Sequence, residues 1–594
     1  MTDDWGLEGA YGATLGRIKG QEKEESRLGI AALMWISHSE RPFKANELCH
    51  ALGVEIGSAD LHSDNVPSIS TLLACCKGLV AVDKEASTVR LIHFTLQEYL
   101  QAHGEHFDRP HATIAETCLS YLNSSQVKAL SPNSSPHDPN LQNTPFLEYS
   151  SLYWGVHAKR DLSEIAKQLA LRLFDDYSNH ISLKVLFKKE RVDYFKFYSN
   201  KPLLFSGLHY ASFFGIDEIV SCLIEVKGRD INPIDCTGST PLAWAASNGH
   251  EGVVKTLLGR DGINPNRPDK RGQTPLHRAA GEGHEGVLKI LLGRGDANPD
   301  RLDKGGQTLL HKAAAEGHEG VVQILLGQGD ANPDRLDKRG RTPVCRAAAE
   351  GHKGVVEMLV RRHDVNPNHL IKYGRTLLCW ALEKGHEGIV EILLGRDDVD
   401  LNKPSKSGET PLWWAAKIGD VGMVEMLLGR DDVNPDRPDN HDRSPLWYAA
   451  LNGHRKVVEM LLGRGDVNPD KPGLYGQTPL WRAALNGHEE VVKMLLGQDG
   501  VNPNKPSQSG ETPLFPAAKN GHEGVVKLLL ERHDIDPDKL NEDGQTPLWW
   551  ATKNRHKGVV KMLLGRGDAN PDNPDKDGQT PLLCAAAGGL EGGE

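Results

Sequence analysis

From residue 206 onward, apolar and polar positions recur with a fixed period of 34. A Thr or Ser stands at 206, 240, 274, 308, 342, 376, 410, 444, 478, 512, 546 and 580. Within the unit that starts at Thr274, Leu276, Ala279, Ala280 and Gly283 fall at i, i+3, i+4 and i+7, one face of a short helix opened by Thr274-Pro275. A second helix follows, with Val287, Leu288, Ile290, Leu291 and Leu292 as its bulky apolar face. Gly293 is expected to end that helix in the left-handed conformation. The rest of each unit is rich in Asn, Pro, Asp and Gly, which form turns.

Helices of about nine residues fall below the length of about 12 to 15 that is stable alone in water, so the units must stack. The pairs Ala279-Ala280, Ala313-Ala314 and Ala449-Ala450 let neighbouring helices approach closely. At helix spacings of about 8 to 10 Å, about a dozen units predict a curved stack on the order of 100 Å long. The array is expected over residues 203–594, about 12 units, the last truncated before its second helix.

The pattern TPLH-x-AA-x-x-GH-x-x-VV-x-x-LL resembles the ankyrin repeat, and the resemblance covers about two thirds of the chain. It departs by one extra residue in the hairpin and, in several units, at the His of TPLH. His277 and His311 keep the imidazole, whereas Trp413, Trp447, Trp481, Phe515 and Trp549 replace it. Those aromatics either thicken the inter-repeat core or add to a binding surface, and the sequence leaves both open. One position later stand Trp244, Arg278, Lys312, Arg346, Trp380, Trp414, Tyr448, Arg482, Pro516 and Trp550. The resemblance implies that this stripe lines the concave groove, where Trp, Tyr and Arg would anchor a protein partner. Its richest aromatic stretch runs from Trp380 to Tyr448. Polar residues at the next groove positions, among them Ser247, Asn248, Glu282, Glu316, Glu350, Lys384, Asn452, Asn486 and Asn520, are expected to surround the anchors. Replacing Trp414 and Tyr448 by Ala is expected to weaken binding by more than about 1 kcal/mol while sparing the fold.

The first two hundred residues differ. After an N-terminal tail (1–21), residues 22–122 read as helix, helix, helix, β-hairpin and helix, then one further helix at Ala112–Leu122. Three helices and a hairpin make a small winged-helix domain, its second strand supported by the alternation of Val89, Leu91 and His93. The third helix, SISTLLACCK, carries a single cation, Lys77, and no Arg or Asn to read base edges, so DNA readout is not expected. A Ser/Pro/Asn-rich linker (123–144) and a helical connector (145–202) lead to the array. Residues 24–120 resemble the winged-helix segment that follows the NACHT module in fungal NOD-like receptors with ankyrin repeats, a segment named after a GPI inositol-deacylase. The resemblance implies a NACHT ATPase ahead of this segment, and none precedes it here. The chain is therefore read as a non-catalytic scaffold or as the sensor and relay fragment of such a receptor.

Charge and candidate chemistry narrow the picture further. A formal net charge of −11 gives no general attraction to nucleic acid or anionic lipid. The nine Cys are scattered and form no C-x-x-C pair, as reduced thiols in cytosol would be. The longest apolar stretch, Leu28–Ile36, is too short to span a bilayer, and the N-terminus lacks a signal peptide's apolar core. The sequons at Asn123 and Asn133 therefore carry no weight. The His at 250, 284, 318, 352, 386, 454, 488, 522 and 556 lack a second ligand at i+4 and are expected to bond nearby backbone at the turn between helices, Asp420 replacing one of them. No phosphate loop or G-x-S-x-G elbow occurs, so no enzyme activity, cofactor or metal is expected. The whole reads as an all-α repeat solenoid behind a winged helix, in cytoplasm or nucleus. Its expected partner is protein, with no nucleic acid, membrane or small-molecule substrate.

Overall fold

The computed structural model describes residues 4–83, 85–130, 143–189, 204–226, 228–299, 301–328, 331–370 and 374–587. Its packing falls into two compact units, Met1–Lys304 and Gly305–Glu594, and the division runs through the repeat array. Most of the expected linker, the connector beyond residue 189, the sequon at Asn133 and the last seven residues lie outside the described residues.

The first unit opens with α1 (Asp4–Lys19), α2 (Lys23–His38), β1 (Phe43–Lys44), α3 (Ala45–Leu52), α4 (Ile69–Cys75), β2 (Val80–Val82), β3 (Thr88–Leu91), α5 (Phe94–Ala102) and α6 (Pro110–Asn123). The hairpin β2–β3 is expected from sequence; β1 is an addition, pairing antiparallel with β3 so that Phe43 lies opposite Val89 and the strand order is β1-β3-β2. Two residues are too short for alternation to register, and β1 is set by the burial of Phe43. His93 lies past the strand and is exposed; its Nδ1 accepts the Thr95 amide at the start of α5. The polar tail expected at 1–21 is instead the helix α1. Its low overall apolarity hides one inward line, Tyr11, Leu15 and Ile18, which is buried. Asn123 is buried with its amide donating to the carbonyls of Leu119 and Leu169, so this sequon is packed inside the unit.

After α7 (Ser125–Lys128), the connector forms α8 (Leu147–Arg160), α9 (Glu164–Leu173) and α10 (Ile181–Lys189). It is bound to the winged helix by an aromatic cluster. Trp35 of α2 meets Phe43 and Phe146 at ring distances of 5.6 Å, and Tyr149 of α8 lies 4.3 Å from Phe43. The far side of α8 covers the first repeat: Trp154 stacks on Tyr210 at 4.9 Å, and Phe174 and Tyr177 close around the same ring. Approach there is so close that a Cβ on Gly207 would lie 2.3 Å from the Phe174 ring. The connector thus buries a repeat face that would otherwise be open to water.

Each repeat is a pair of short helices, as at Pro445–Asn452 and Arg455–Leu462. Ser444 starts the pair by accepting the Trp447 amide, and Pro445 at the first helical position needs no partner for its nitrogen. Val457, Val458 and Leu461 of the second helix are fully buried, together with Leu446, Ala449 and Ala450 of the first. A left-handed glycine follows the first helix, such as Gly283 (φ +81°) or Gly453 (φ +73°). Gly293, expected to take that role, stays within the second helix, which runs on to a right-handed Arg294. The left-handed turn is needed where two antiparallel helices join with almost no loop; the hairpin arm places its own left-handed glycines later, as at Gly295 (φ +79°) and Gly306 (φ +73°).

Histidines bury a second device in the first unit. The Glu40 amide donates to the Tyr149 hydroxyl (3.2 Å), which shares a hydrogen bond with His157 Nε2 (2.9 Å), and His157 Nδ1 shares one with His111 Nδ1 (2.9 Å). Burial, reinforced by His111, Arg160 and His38, pushes the His157 pKa down to about 3, so it is neutral when folded. Unfolded, it would titrate near 6.5. Above that pH His157 contributes no penalty; below it the unfolded chain takes up a proton that the folded chain refuses, and stability falls by up to about 1.4 kcal/mol per pH unit. Denaturant titration at pH 7 and pH 5 is expected to show that His157→Gln removes about 2 kcal/mol of the pH-dependent loss. Identical losses in both proteins would contradict the buried neutral imidazole.

Candidate protein-interaction face

The position after the TPLH histidine is held by the first helix of each repeat, beside the hairpin. In the first unit its occupants are already engaged. A buried hairpin Asp folds the tip by accepting backbone amides: Asp235 Oδ1 takes those of Thr237 and Ser239, and Asp269 Oδ1 those of Arg271 and Gln273. The second carboxylate oxygen then reaches the stripe, accepting from Trp244 Nε1 at 2.9 Å and from Arg278 Nη2 at 2.7 Å. Trp244 and Arg278 therefore brace the hairpin rather than stand free for a partner.

The second unit breaks that pairing. Asp337 is held by Arg341 four residues on (Nη2 2.9 Å), so Arg346 is half-buried with a buried Nε that has no partner among the described residues. Lys312 and Trp380 are half-buried. Trp414 and Tyr448 are each only 8% exposed. Trp414 is covered by the Arg375 guanidinium 4.7 Å from its ring, and Tyr448 lies edge-on to Trp413 at 4.5 Å. At Arg482 the hairpin position is Gly473 instead of Asp, and the guanidinium lies 4.6 Å over the Trp447 ring. Burial lowers the pKa of Arg482 and of Arg346, which marks both as cations short of counter-charge. Pro516 is buried, while Trp550 is half-exposed, its Nε1 donating to Gln545 Oε1 at 3.0 Å.

The aromatics at the TPLH histidine position belong to the core. Trp413, Trp447, Trp481, Phe515 and Trp549 are at most 5% exposed, which resolves the choice left open by the sequence. The expectation that Trp414 and Tyr448 could be truncated without loss to the fold does not hold, because both are covered by neighbouring side chains. The polar surround divides as well. Glu316, Glu350 and Lys384 are exposed, whereas Asn452, Asn486 and Asn520 donate to the carbonyls of Lys417, Leu451 and Leu485 one repeat earlier.

The histidine row is structural in a specific way. His454, His488, His522 and His556 donate through Nε2 to the carbonyls of Lys417, Leu451, Leu485 and Lys519, at 3.0 to 3.1 Å and 37 residues back. They bond the preceding repeat, not their own turn as expected. Asp420 does the local task instead, accepting the Met423 amide at the helix start. Among the described residues no three His, Cys, Asp or Glu side chains gather as a metal site would. A polar cleft of about 430 Å³ in the first unit is lined by His38, Glu40, Gln97, Gln101, His111 and Arg160, and the Arg160–Glu40 ion pair occupies it.

Two family models match. Residues 178–592 are covered by successive overlapping matches to the model described as "Ankyrin repeats (3 copies)", well over half of the chain. The chain belongs to the ankyrin-repeat family. Ahead of the ankyrin array, residues 19–109 match "GPI inositol-deacylase, winged helix domain". No curated protein matches the chain. What the sequence reading missed in the ankyrin units was a further clamp with a visible signal, the recurrent Arg-x-Asp, usually preceded by Gly. Arg430, Arg464, Arg532 and Arg566 each pair with the Asp two residues on and donate to a Leu carbonyl 36 residues back, at 3.0 to 3.1 Å.

The two aromatic columns should separate in stability measurements. Trp413→Ala is expected to lower the unfolding free energy by about 3 to 5 kcal/mol, as for other buried aromatics, and Trp550→Ala by less than about 1. Similar losses in urea titrations would contradict the assignment of one column to the core and the other to the surface.

Proposed function

We propose that the chain is a non-catalytic scaffold that binds a protein partner through the first-helix face of its ankyrin array, chiefly in residues 305–594. The observation that carries this reading is the difference between the units. Stripe residues are internally paired at Trp244 and Arg278, but in the second unit they include half-exposed rings at Trp380 and Trp550 and, at Arg346 and Arg482, cations with no carboxylate partner among the described residues. Trp and Arg dominate interface energies when a partner desolvates them, and several repeats together offer the roughly 800 Å² of a standard interface. Nine scattered cysteines with no C-x-x-C pair support a reducing compartment, cytosol or nucleus.

A second reading, the sensor and relay part of a NOD-like receptor, is favoured by the packing of the first unit. The winged helix, connector and first repeats share one continuous core through Trp35, Phe146, Trp154 and Tyr210, so strain at the repeats would be passed to the winged helix. An in-frame phosphate loop in the genomic sequence upstream of Met1 supports this reading; its absence leaves the scaffold alone.

Affinity purification of the full chain from its source cell, followed by mass spectrometry, is expected to recover a specific partner. The Trp380→Ala/Trp550→Ala variant, which removes half-exposed rings and leaves the core aromatics in place, is expected to bind that partner more than about 1 kcal/mol more weakly. No specific partner, or unchanged affinity, would contradict the proposal.

A further inference from the structure

Within residues 410–553, cationic side chains lie on aromatic faces in almost every repeat. Lys417 Nζ is 4.9 Å from the Trp413 ring centre, 5.1 Å from Trp414 and 5.5 Å from Tyr448. Arg482 sits 4.6 Å over Trp447 and 5.3 Å from Trp481. Lys519 lies 3.8 Å over Trp550, and Lys553 lies 4.5 Å from Trp549. None of these four has an ion-pair partner among the described residues, in contrast to Arg375 and Arg443, which are bound to Glu383 and Asp439. Two acids lie close to the stripe without pairing to these cations: Glu409 accepts a hydrogen bond from the Ser405 hydroxyl, and burial raises the pKa of Glu511 against the pull of Lys519.

The backbone beneath two of these cations is fixed. The Lys417 carbonyl accepts from both Asn452 and His454, and the Lys519 carbonyl from both Asn554 and His556. Ring contact and backbone clamp together limit where each ammonium can go, which lowers the ordering cost of binding an anion there.

We propose that this face binds an acidic peptide segment of the partner, laid along the stripe in extended form with one carboxylate for each of the four cations it crosses; this rests on the reading of the same face as the partner site. Repeats spaced about 8 to 10 Å apart, against about 3.3 Å per residue of extended chain, call for an Asp or Glu about every third residue along the successive repeats of Arg482, Lys519 and Lys553. The five repeats from Thr410 to Lys553 would accommodate roughly a dozen residues, with Trp550 the ring open to an apolar side chain between the acids. Carboxylates are favoured over a phosphate backbone because the cations are few and lie one to two repeats apart, too sparse for the closely spaced charges of a nucleic-acid strand.

The test is selection of a displayed library of random dodecapeptides on the full chain, then titration of the selected peptides. Asp or Glu is expected to enrich at every third position, affinity to fall at least tenfold in Arg482→Gln/Lys519→Gln, and binding to weaken with rising salt. A polyuridine arm and a peptide with every acid changed to Lys are expected not to bind. Enrichment of basic or purely apolar peptides, equal affinity of the double variant, or polyuridine binding as tightly as the peptide would overturn the proposal. If the library fails while the cellular partner still depends on Trp380 and Trp550, the face remains the partner site and the acidic chemistry alone is wrong.

Discussion

The array depends on one recurrent interlock, a histidine ring set against a glycine of the preceding repeat. Gly453 and Gly487 end their first helices in the left-handed conformation, and a Cβ on either would lie 2.6 to 2.7 Å from the next repeat's imidazole, His488 or His522. The same imidazole donates to a carbonyl two residues before that glycine. A single contact therefore sets the turn between two helices, the distance to the neighbouring repeat and its register. Short helices that could not persist alone are held by neighbours, and the Arg clamps and Asn ladders repeat the same logic at other heights along the unit.

That arrangement explains why the interaction face can carry unsatisfied chemistry. Side chains such as Lys417 and Lys519 project from backbone already fixed by bonds from the next repeat, so aromatic and cationic groups are retained close together without a carboxylate to settle them. Where the hairpin supplies an Asp to the stripe, as at Asp235 and Asp269, the face is closed on itself. Where it supplies Gly473, or where Arg341 has taken the Asp, the face is left open to a partner.

Much of the fold was legible in the sequence because it is periodic. The 34-residue step, the Thr-Pro helix start and the Val-Val-Leu face all follow from side-chain spacing, and the winged helix follows from a helix and strand order with matching apolar faces. The misses share a physical cause: they concern which surface a residue meets, which periodicity does not report. Residues 1–21 look polar, yet three inward side chains make a packed helix. Trp413 and Trp414 are adjacent in sequence and both bulky, yet one fills the core and the other lies beneath Arg375 and Lys417. The histidine partner lies 37 residues away, beyond any local reading of a turn. Arg-x-Asp was present in the sequence as a recurrent pattern, but its carbonyl partner in the preceding repeat becomes visible only in three dimensions.

The interlock can be isolated because one repeat lacks it. Gly385 has the same left-handed backbone as Gly487, φ +74° in each, but the following repeat carries Asp420 in place of the histidine, and a Cβ on Gly385 would meet nothing within 4 Å. Native-state hydrogen exchange of the full chain should therefore show Gly385→Ala costing about 1 kcal/mol of protection, the backbone term alone. Gly487→Ala should cost about 1 to 2 kcal/mol more, concentrated in the helices around Leu485 and His522, because the imidazole must move and its carbonyl bond is lost. Equal losses at the two glycines would contradict the account that the histidine-on-glycine contact holds the repeats, and with them the binding face, in place.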